Sequence, residues 1–228
     1  RQRLFSHVLK HKKGDITPSK ILNAYAVKYG RLYNFPPTVA KEIYTKFNKK
    51  SDTIFRTLDF SAGYAGRLAG FWFSNPKTRA EYVGIDPNTK IPYNDITNFL
   101  TENFPNENKT VNILRSPAED VDFTELGTFD LVFTSPPYFN REIYSDEDTQ
   151  SSVRYCKYRS WLIQFLFNVL DKSINVLNPG GYLIINIKNI SKEYPIADDM
   201  CGFLDDKLVR LDNIEFVQPK LPFKNISK

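Results

Sequence analysis

With 228 residues, 41% of them hydrophobic, the chain can bury one full core, and a single α/β domain with an N-terminal appendage is the expected organisation. No apolar run reaches the length of a bilayer span and no signal-peptide pattern opens the chain, which excludes a helical membrane protein and implies a soluble intracellular one. Cys156 and Cys201 are too few and too far apart for a disulfide framework or a zinc site, and His7 and His11 stand in a basic segment rather than beside carboxylates, so no structural or catalytic metal is expected.

Residues 1–13 read as a basic arm. The first fifty residues carry 12 Lys or Arg against 2 Asp or Glu and the remainder 19 against 24, so the N-terminal side either faces a polyanion or is a solvated lysine-rich surface. The chain starts at Arg1 rather than Met and ends on Asn225-Ile226-Ser227-Lys228 without a stop signal, which leaves room for flanking sequence. Thr17-Pro18 supplies an N-cap and a first-turn proline, and Ile21, Leu22, Tyr25, Ala26 and Tyr29 repeat at helical spacing, predicting a helix from Pro18 to Tyr29. After the break at Asn34-Phe35-Pro36-Pro37-Thr38, the positions of Val39, Ile43, Tyr44 and Phe47 predict a second helix to Asn48; together the two form a small cap on the main sheet.

Ile54 to Leu58 predicts the first core strand, which runs into Asp59-Phe60-Ser61-Ala62-Gly63-Tyr64-Ala65-Gly66. Small residues at a strand-to-helix turn admit a ligand close to the backbone and aim helix N-terminal N–H groups at an anion. The second strand, Glu81 to Ile85, ends in Asp86 about twenty residues after the glycines, where an acid at a strand end holds ribose hydroxyls. A helix from Tyr93 to Asn103 and a third strand from Thr110 to Leu114 follow, the strand leading to Glu119 and Asp120; Glu119, with Asp120 and Asp122 as close competitors, is the acid expected to accept a bond from an adenine amine, the other two serving as loop or cap residues.

The fourth strand, Phe129 to Phe133, stops at Thr134-Ser135-Pro136-Pro137-Tyr138. Each proline fixes φ and removes an N–H, so this segment is a stiff rod presenting carbonyl oxygens, with a hydroxyl at Ser135 and an aromatic face at Tyr138. That set suits a planar heterocycle with an exocyclic amine: oxygen acceptors hold the N–H groups while the ring lies on the tyrosine. Such an amine is a poor nucleophile because its lone pair is delocalised, and two acceptors pulling on its hydrogens favour a pyramidal nitrogen aimed at an electrophile. Residues 139–152 read as a polar loop able to close over a substrate. Tyr158, Trp161, Leu162, Phe165, Leu166, Val169, Leu170 and Ile174 predict a long helix ending before Asn178-Pro179-Gly180-Gly181; Tyr182 to Lys188 predicts the fifth strand and Ile214 to Val217 a further edge strand.

Taken together, the turn from Asp59 to Gly66, Tyr82-Val83-Gly84-Ile85-Asp86, Glu119-Asp120, Thr134-Ser135-Pro136-Pro137-Tyr138 and Leu177-Asn178-Pro179-Gly180-Gly181-Tyr182 resemble the amino-methyltransferases of DNA, which use S-adenosylmethionine. The resemblance covers residues 35–189 and implies a Rossmann-like class I methyltransferase fold: a seven-stranded, mostly parallel sheet with helices on both faces, beginning at residue 51 behind the basic arm and helical cap of residues 1–50. Carried over by position, it implies that Asp59, Ala62 and Gly63 contact the cofactor, Asp86 its ribose, and Glu119 or Asp120 its adenine. Phe35 and Pro36 would close over the methionine tail, Ser135 and the Pro136 carbonyl would hold the target amine beside Pro137, and Tyr138 would stack on a flipped base, N6 of adenine or N4 of cytosine. DNA is then the partner, and the protein is found wherever that DNA is.

Two features depart from the family. Ala65 stands where its turn has a second glycine, with Gly66 beside it, and the interval 120–133 is too short for a recognition domain. Target selection is therefore expected from the N-terminal helices, the 139–152 loop, flanking sequence or a partner subunit. The alternatives are methyl transfer to RNA or a protein amide, whose enzymes more often carry Asn or Asp at the place of Ser135, and an inactive subunit that binds nucleic acid or a catalytic partner.

Overall fold

The alternation of apolar strand runs with amphipathic segments produces five parallel strands: β1 (Phe55–Asp59), β2 (Ala80–Ile85), β3 (Lys109–Leu114), β4 (Phe129–Thr134) and β5 (Leu177–Ile185), in the order β3-β2-β1-β4-β5. This computed structural model describes residues 34–50, 52–75, 77–141 and 147–215, and the described residues from Phe35 onward form one compact unit. The helices are α1 (Pro37–Phe47), α2 (Gly66–Trp72), α3 (Tyr93–Asn103), α4 (Ser151–Arg154), α5 (Tyr158–Trp161), α6 (Asn168–Asn175) and α7 (Ile196–Leu204), with a π-helical stretch Leu162–Phe167 joining α5 to α6. No described helix is long and apolar enough to cross a membrane.

Parallel strands must be covered on both faces, and they are. Along the central strands side chains alternate: Leu58, Val83 and Val132 face a core with Trp161, Phe165, Leu166, Val169 and Leu170, while Phe55, Tyr82, Leu131 and Phe133 face Tyr44, Leu68 and Phe71. On that second face α1 lies directly on α2 because Gly70 has no side chain: a Cβ there would sit 2.4 Å from the Ala40 Cβ and 2.6 Å from the Pro37 carbonyl oxygen. Strand order reverses between β1 and β4, which opens a crevice at their C-terminal ends.

The strand expectations hold within one or two residues for β1 to β4, and α3 has the predicted bounds. Five strands, all parallel, stand among the described residues where seven, mostly parallel, were expected. Ile214 lies in no strand, and Val217 falls outside the described residues, as does the helix expected from Pro18 to Tyr29. β5 starts at Leu177 rather than Tyr182: Phe129 faces Leu177 and Leu131 faces Tyr182, so Asn178 to Gly181 bulge out of a strand instead of merely closing the helix before it. The helix of α1 is part of the core rather than a layer above it, since Ala40 and Tyr44 are fully buried.

At the opposite end of the sheet, Lys109 is 5% exposed, with its ammonium 3.5 Å from the Ser74 hydroxyl and 4.8 Å from the centre of the Phe71 ring. Burial lowers its pKa to about 8. The folded state therefore binds fewer protons than the unfolded chain between about pH 8 and 10.5, and stability rises with pH through that window; the penalty is fully present below it. Lys109→Met is expected to raise unfolding free energy at pH 7 by about 2 kcal/mol and to flatten the slope between pH 8 and 10, as urea denaturation at a series of pH values will show.

Candidate active site

Asp59 ends β1, and its fully buried carboxylate organises the crevice. It accepts hydrogen bonds from Arg67 Nε (2.8 Å) and Nη2 (3.1 Å), Tyr82 Oη (2.6 Å), Thr134 Oγ1 (2.8 Å) and the Ser61 N–H (3.3 Å). The carboxylate thus serves protein donors from α2, β2, β4 and the turn. Its bond to Thr134 ties the start of the glycine turn to the residue preceding Ser135.

The turn itself is held on several sides. Gly63 has φ +56°, which glycine adopts without strain, and its N–H donates to Asp86 Oδ2 at 2.8 Å. Its carbonyl accepts from the buried Tyr93 hydroxyl on α3, the Ser61 carbonyl accepts from Arg67, and the Ala62 N–H donates to the Ile85 carbonyl at 3.0 Å. Ala65, at the expected glycine position, is itself left-handed at φ +62° and caps α2, so the backbone path survives the replacement at the cost of about 1 to 2 kcal/mol of strain. Asp86 is 8% exposed, and its second oxygen accepts from the Asn88 N–H at 2.9 Å. Desolvation raises its pKa from the ordinary aspartate value, against the two backbone N–H groups that lower it. A carboxylate oxygen has more than one lone-pair site, so each Asp86 oxygen can accept a further bond beside its backbone N–H.

On the third wall Arg154 of α4 forks between the two candidate acids, 2.9 Å from Glu119 Oε1 and 2.9 and 3.0 Å from the oxygens of Asp120. Glu119 is the buried one, and burial raises its pKa while Arg154 opposes. Asp122 caps the 3-10 turn Phe123–Leu126 by accepting from the Thr124 N–H at 2.9 Å.

Ser135 to Tyr138 leave β4 beside the end of β5. Ser135 Oγ donates to the Asn186 carbonyl (3.1 Å) and accepts from Asn186 Nδ2 (2.9 Å), and the Tyr138 hydroxyl donates to the same carbonyl at 3.4 Å. Pro136 is buried and Pro137 half-buried. The next residue, Phe139, has φ +48° and is held in that strained conformation by the rings of Tyr158, Trp161 and Tyr194, at 5.4 to 5.7 Å between centroids. Phe35, next to Pro36, packs edge-on against Phe133 at 5.3 Å and lies 5.8 Å from the Arg67 guanidinium.

The sequence pattern thus places Asp59, Ala62, Gly63 and Asp86 in one bonded cluster with Ser135 reached through Thr134, and Glu119 with Asp120 in a second, joined by Arg154. Arg67, Arg154, Tyr93 and Asn186 carry much of this geometry without standing out in the sequence. Asn186 had a signal: β4–β5 pairing puts Thr134 opposite Ile185, so Asn186 is the first residue past β5 as Ser135 is the first past β4.

No family model matches the chain, nor does any curated protein. Among solved structures it is similar to TrmN from Thermus thermophilus, with 15% identity over 65% of this chain and 37% of that one and a TM-score of 0.44. It is similar also to the SAM-dependent methyltransferase from Agrobacterium tumefaciens, with 16% identity, 75% and 51% coverage and a TM-score of 0.48. An rRNA methylase from Streptococcus thermophilus gives 12% identity, 72% and 77% coverage and a TM-score of 0.43. The chain spans well under two thirds of the first two, and with TM-scores below 0.5 these likenesses carry neither cofactor nor substrate over to it.

Proposed function

We propose that the crevice transfers a methyl group from S-adenosylmethionine to an exocyclic amine of a nucleic-acid base, N6 of adenine or N4 of cytosine, with DNA as the polymer. The observation that carries this reading is the Asp59–Thr134 bond, which sets a glycine turn and an amine-accepting Ser-Pro-Pro-Tyr rod at adjacent strand ends across the point where strand order reverses.

The residues fit the cofactor. A Cβ on Gly63 would meet nothing nearer than the Ser61 carbonyl oxygen at 3.7 Å, so the turn is open on that side, and Asp86 offers acceptor capacity for ribose hydroxyls. When bound, S-adenosylmethionine would supply an electrophilic methyl on a sulfonium. The chain's part is to orient the nucleophile: Ser135 Oγ and the Pro136 carbonyl take the two amine hydrogens, and Tyr138 supports the ring. A stacked, paired base is out of reach, so the target is extruded. The basic first fifty residues supply phosphate contacts, which makes binding steeply salt-dependent.

Incubation with methyl-labelled S-adenosylmethionine and unmethylated single- and double-stranded DNA, followed by nucleoside mass spectrometry, tests this. Label in N6-methyladenine or N4-methylcytosine is expected. Cofactor binding without label on DNA would move the substrate to RNA or a protein amide, and the absence of cofactor binding would leave an inactive nucleic-acid-binding subunit.

A further inference from the structure

We propose that the groove between the α5–π segment and α7 is the contact surface for a second copy of this chain, related to the first by a two-fold axis that runs along the groove. The groove has a volume of about 520 Å³, and none of its lining residues belongs to the crevice. Its apolar lining includes Leu162 and the pair Phe167 and Phe203, whose rings stack 4.4 Å apart and 3° from parallel. Ile163, beside them, is 49% exposed. A large apolar side chain left in water next to an apolar groove marks an interaction surface. Leu162, Ile163 and Phe167 all lie in the π-helical stretch, a winding that is rare and recurs at functional sites.

The charges decide which partner fits. Residues 155–170, on the α5 side, hold Lys157 and Arg159 and no acid; residues 196–206, on the α7 side, hold Asp198, Asp199, Asp205 and Asp206 and no base. The acids along α7 repel a nucleic acid, and an uncharged partner would leave both walls unmatched. Arg159 and Asp199 line the same groove, yet Arg159 is exposed and forms no ion pair among the described residues. Asp199 Oδ2 accepts from the Tyr158 hydroxyl at 2.6 Å, which leaves its other oxygen able to accept from outside. A two-fold axis along the groove lays the basic wall of each copy over the acidic wall of the other and brings each Ile163 over the other copy's apolar wall. Every attraction is then made twice, and a copy of this chain has the matching stripes by symmetry.

Sedimentation equilibrium of the full chain over a series of concentrations, in low and in high salt, tests this by mass and independently of methyl transfer. A monomer–dimer equilibrium weakened by salt is expected. Ile163→Glu should weaken the dimer about tenfold or more, and so should Arg159→Asp or Asp199→Arg alone, because each reversal sets like charges against each other. Mixed one to one, the two reversal variants should dimerise again, since acid then faces base at both contacts, and that recovery shows both to be folded. Ile163→Glu and Arg159→Asp stand at exposed positions, so they keep the test decisive if Asp199→Arg, which gives up the Tyr158 bond, does not fold. A chain that stays monomeric at its highest soluble concentration, a dimer indifferent to Ile163→Glu and Arg159→Asp, or reversal variants that are folded by circular dichroism but stay apart when mixed would overturn the proposal.

Discussion

Replacing Arg67 with methionine is expected to cost about 3 to 5 kcal/mol of folding stability, a large part of what a domain of this size has. The guanidinium is 4% exposed and makes two bonds to Asp59, at 2.8 and 3.1 Å, and a third to the Ser61 carbonyl. Burial lowers its pKa, but Asp59's charge and hydrogen bond, with Tyr82 and Tyr44 beyond, together carry it above the ordinary value. Methionine keeps the packing volume and leaves a carboxylate in the core with hydroxyl and amide donors but no cation. The expected signature is non-additivity: Asp59→Asn with Arg67→Met should cost less than the sum of the single changes, because the pair leaves no unpaired charge. Urea denaturation of the three variants at pH 7 checks this, and a single-variant loss below about 1 kcal/mol would mean that the pair is not what holds the crevice together.

Structure and reaction meet in this cluster. Asp59 ends β1, Arg67 belongs to α2, Tyr82 to β2 and Thr134 to β4, so one buried carboxylate ties the glycine turn to the strand end that carries Ser135. Asp59 was legible in the sequence as a polar residue at a strand end, with a cofactor contact as its expected role. Its partners were not legible, since an arginine directly after the glycine turn gives no hint of whether it is solvated or enclosed. The apolar runs of β1 to β4 located their strands closely because hydrophobic continuity is what a doubly covered parallel strand requires. β5 was read late for a physical reason: proline and glycines do interrupt pairing at Asn178 to Gly181, but pairing resumes on the far side, and a local pattern cannot see the partner strand that permits this. Extending that strand to Lys188 also hid Asn186 inside it, where a strand end was the relevant fact. The change from α to π winding at Leu162 leaves the apolar periodicity intact, and we find no residue that announces it. Glu119 was favoured over Asp120 and Asp122 in the sequence; the structure buries Glu119, leaves Asp120 exposed and joins both to Arg154.

Tyr138→Ala and Asp86→Ala should separate the two halves of the crevice. In the proposed reaction Tyr138 gives the base its stacking face, worth about 1 to 3 kcal/mol, so its removal should lower kcat/KM by about 5- to 150-fold with cofactor affinity unchanged. Asp86 supports the opposite half: it holds the Gly63 N–H at 2.8 Å as well as offering acceptors to ribose hydroxyls. Losing charge-assisted bonds of about 1.5 to 3 kcal/mol should raise the cofactor Kd by about 10- to 150-fold, with kcat at saturating cofactor much less affected. A pH series adds a second readout. Burial raises the Asp86 pKa, so the carboxylate proposed to receive the ribose is lost at a higher pH than an ordinary aspartate would be. Cofactor affinity should therefore weaken on mild acidification in the wild type, and the already weak binding of Asp86→Ala should be flat over the same range. Calorimetric titration of S-adenosylmethionine into both variants, beside initial rates of methyl transfer, decides the matter: if Tyr138→Ala weakened the cofactor as much as Asp86→Ala did, the two residues would not sit on opposite sides of the transferred methyl, and the division of labour assigned to the two strand ends would be wrong.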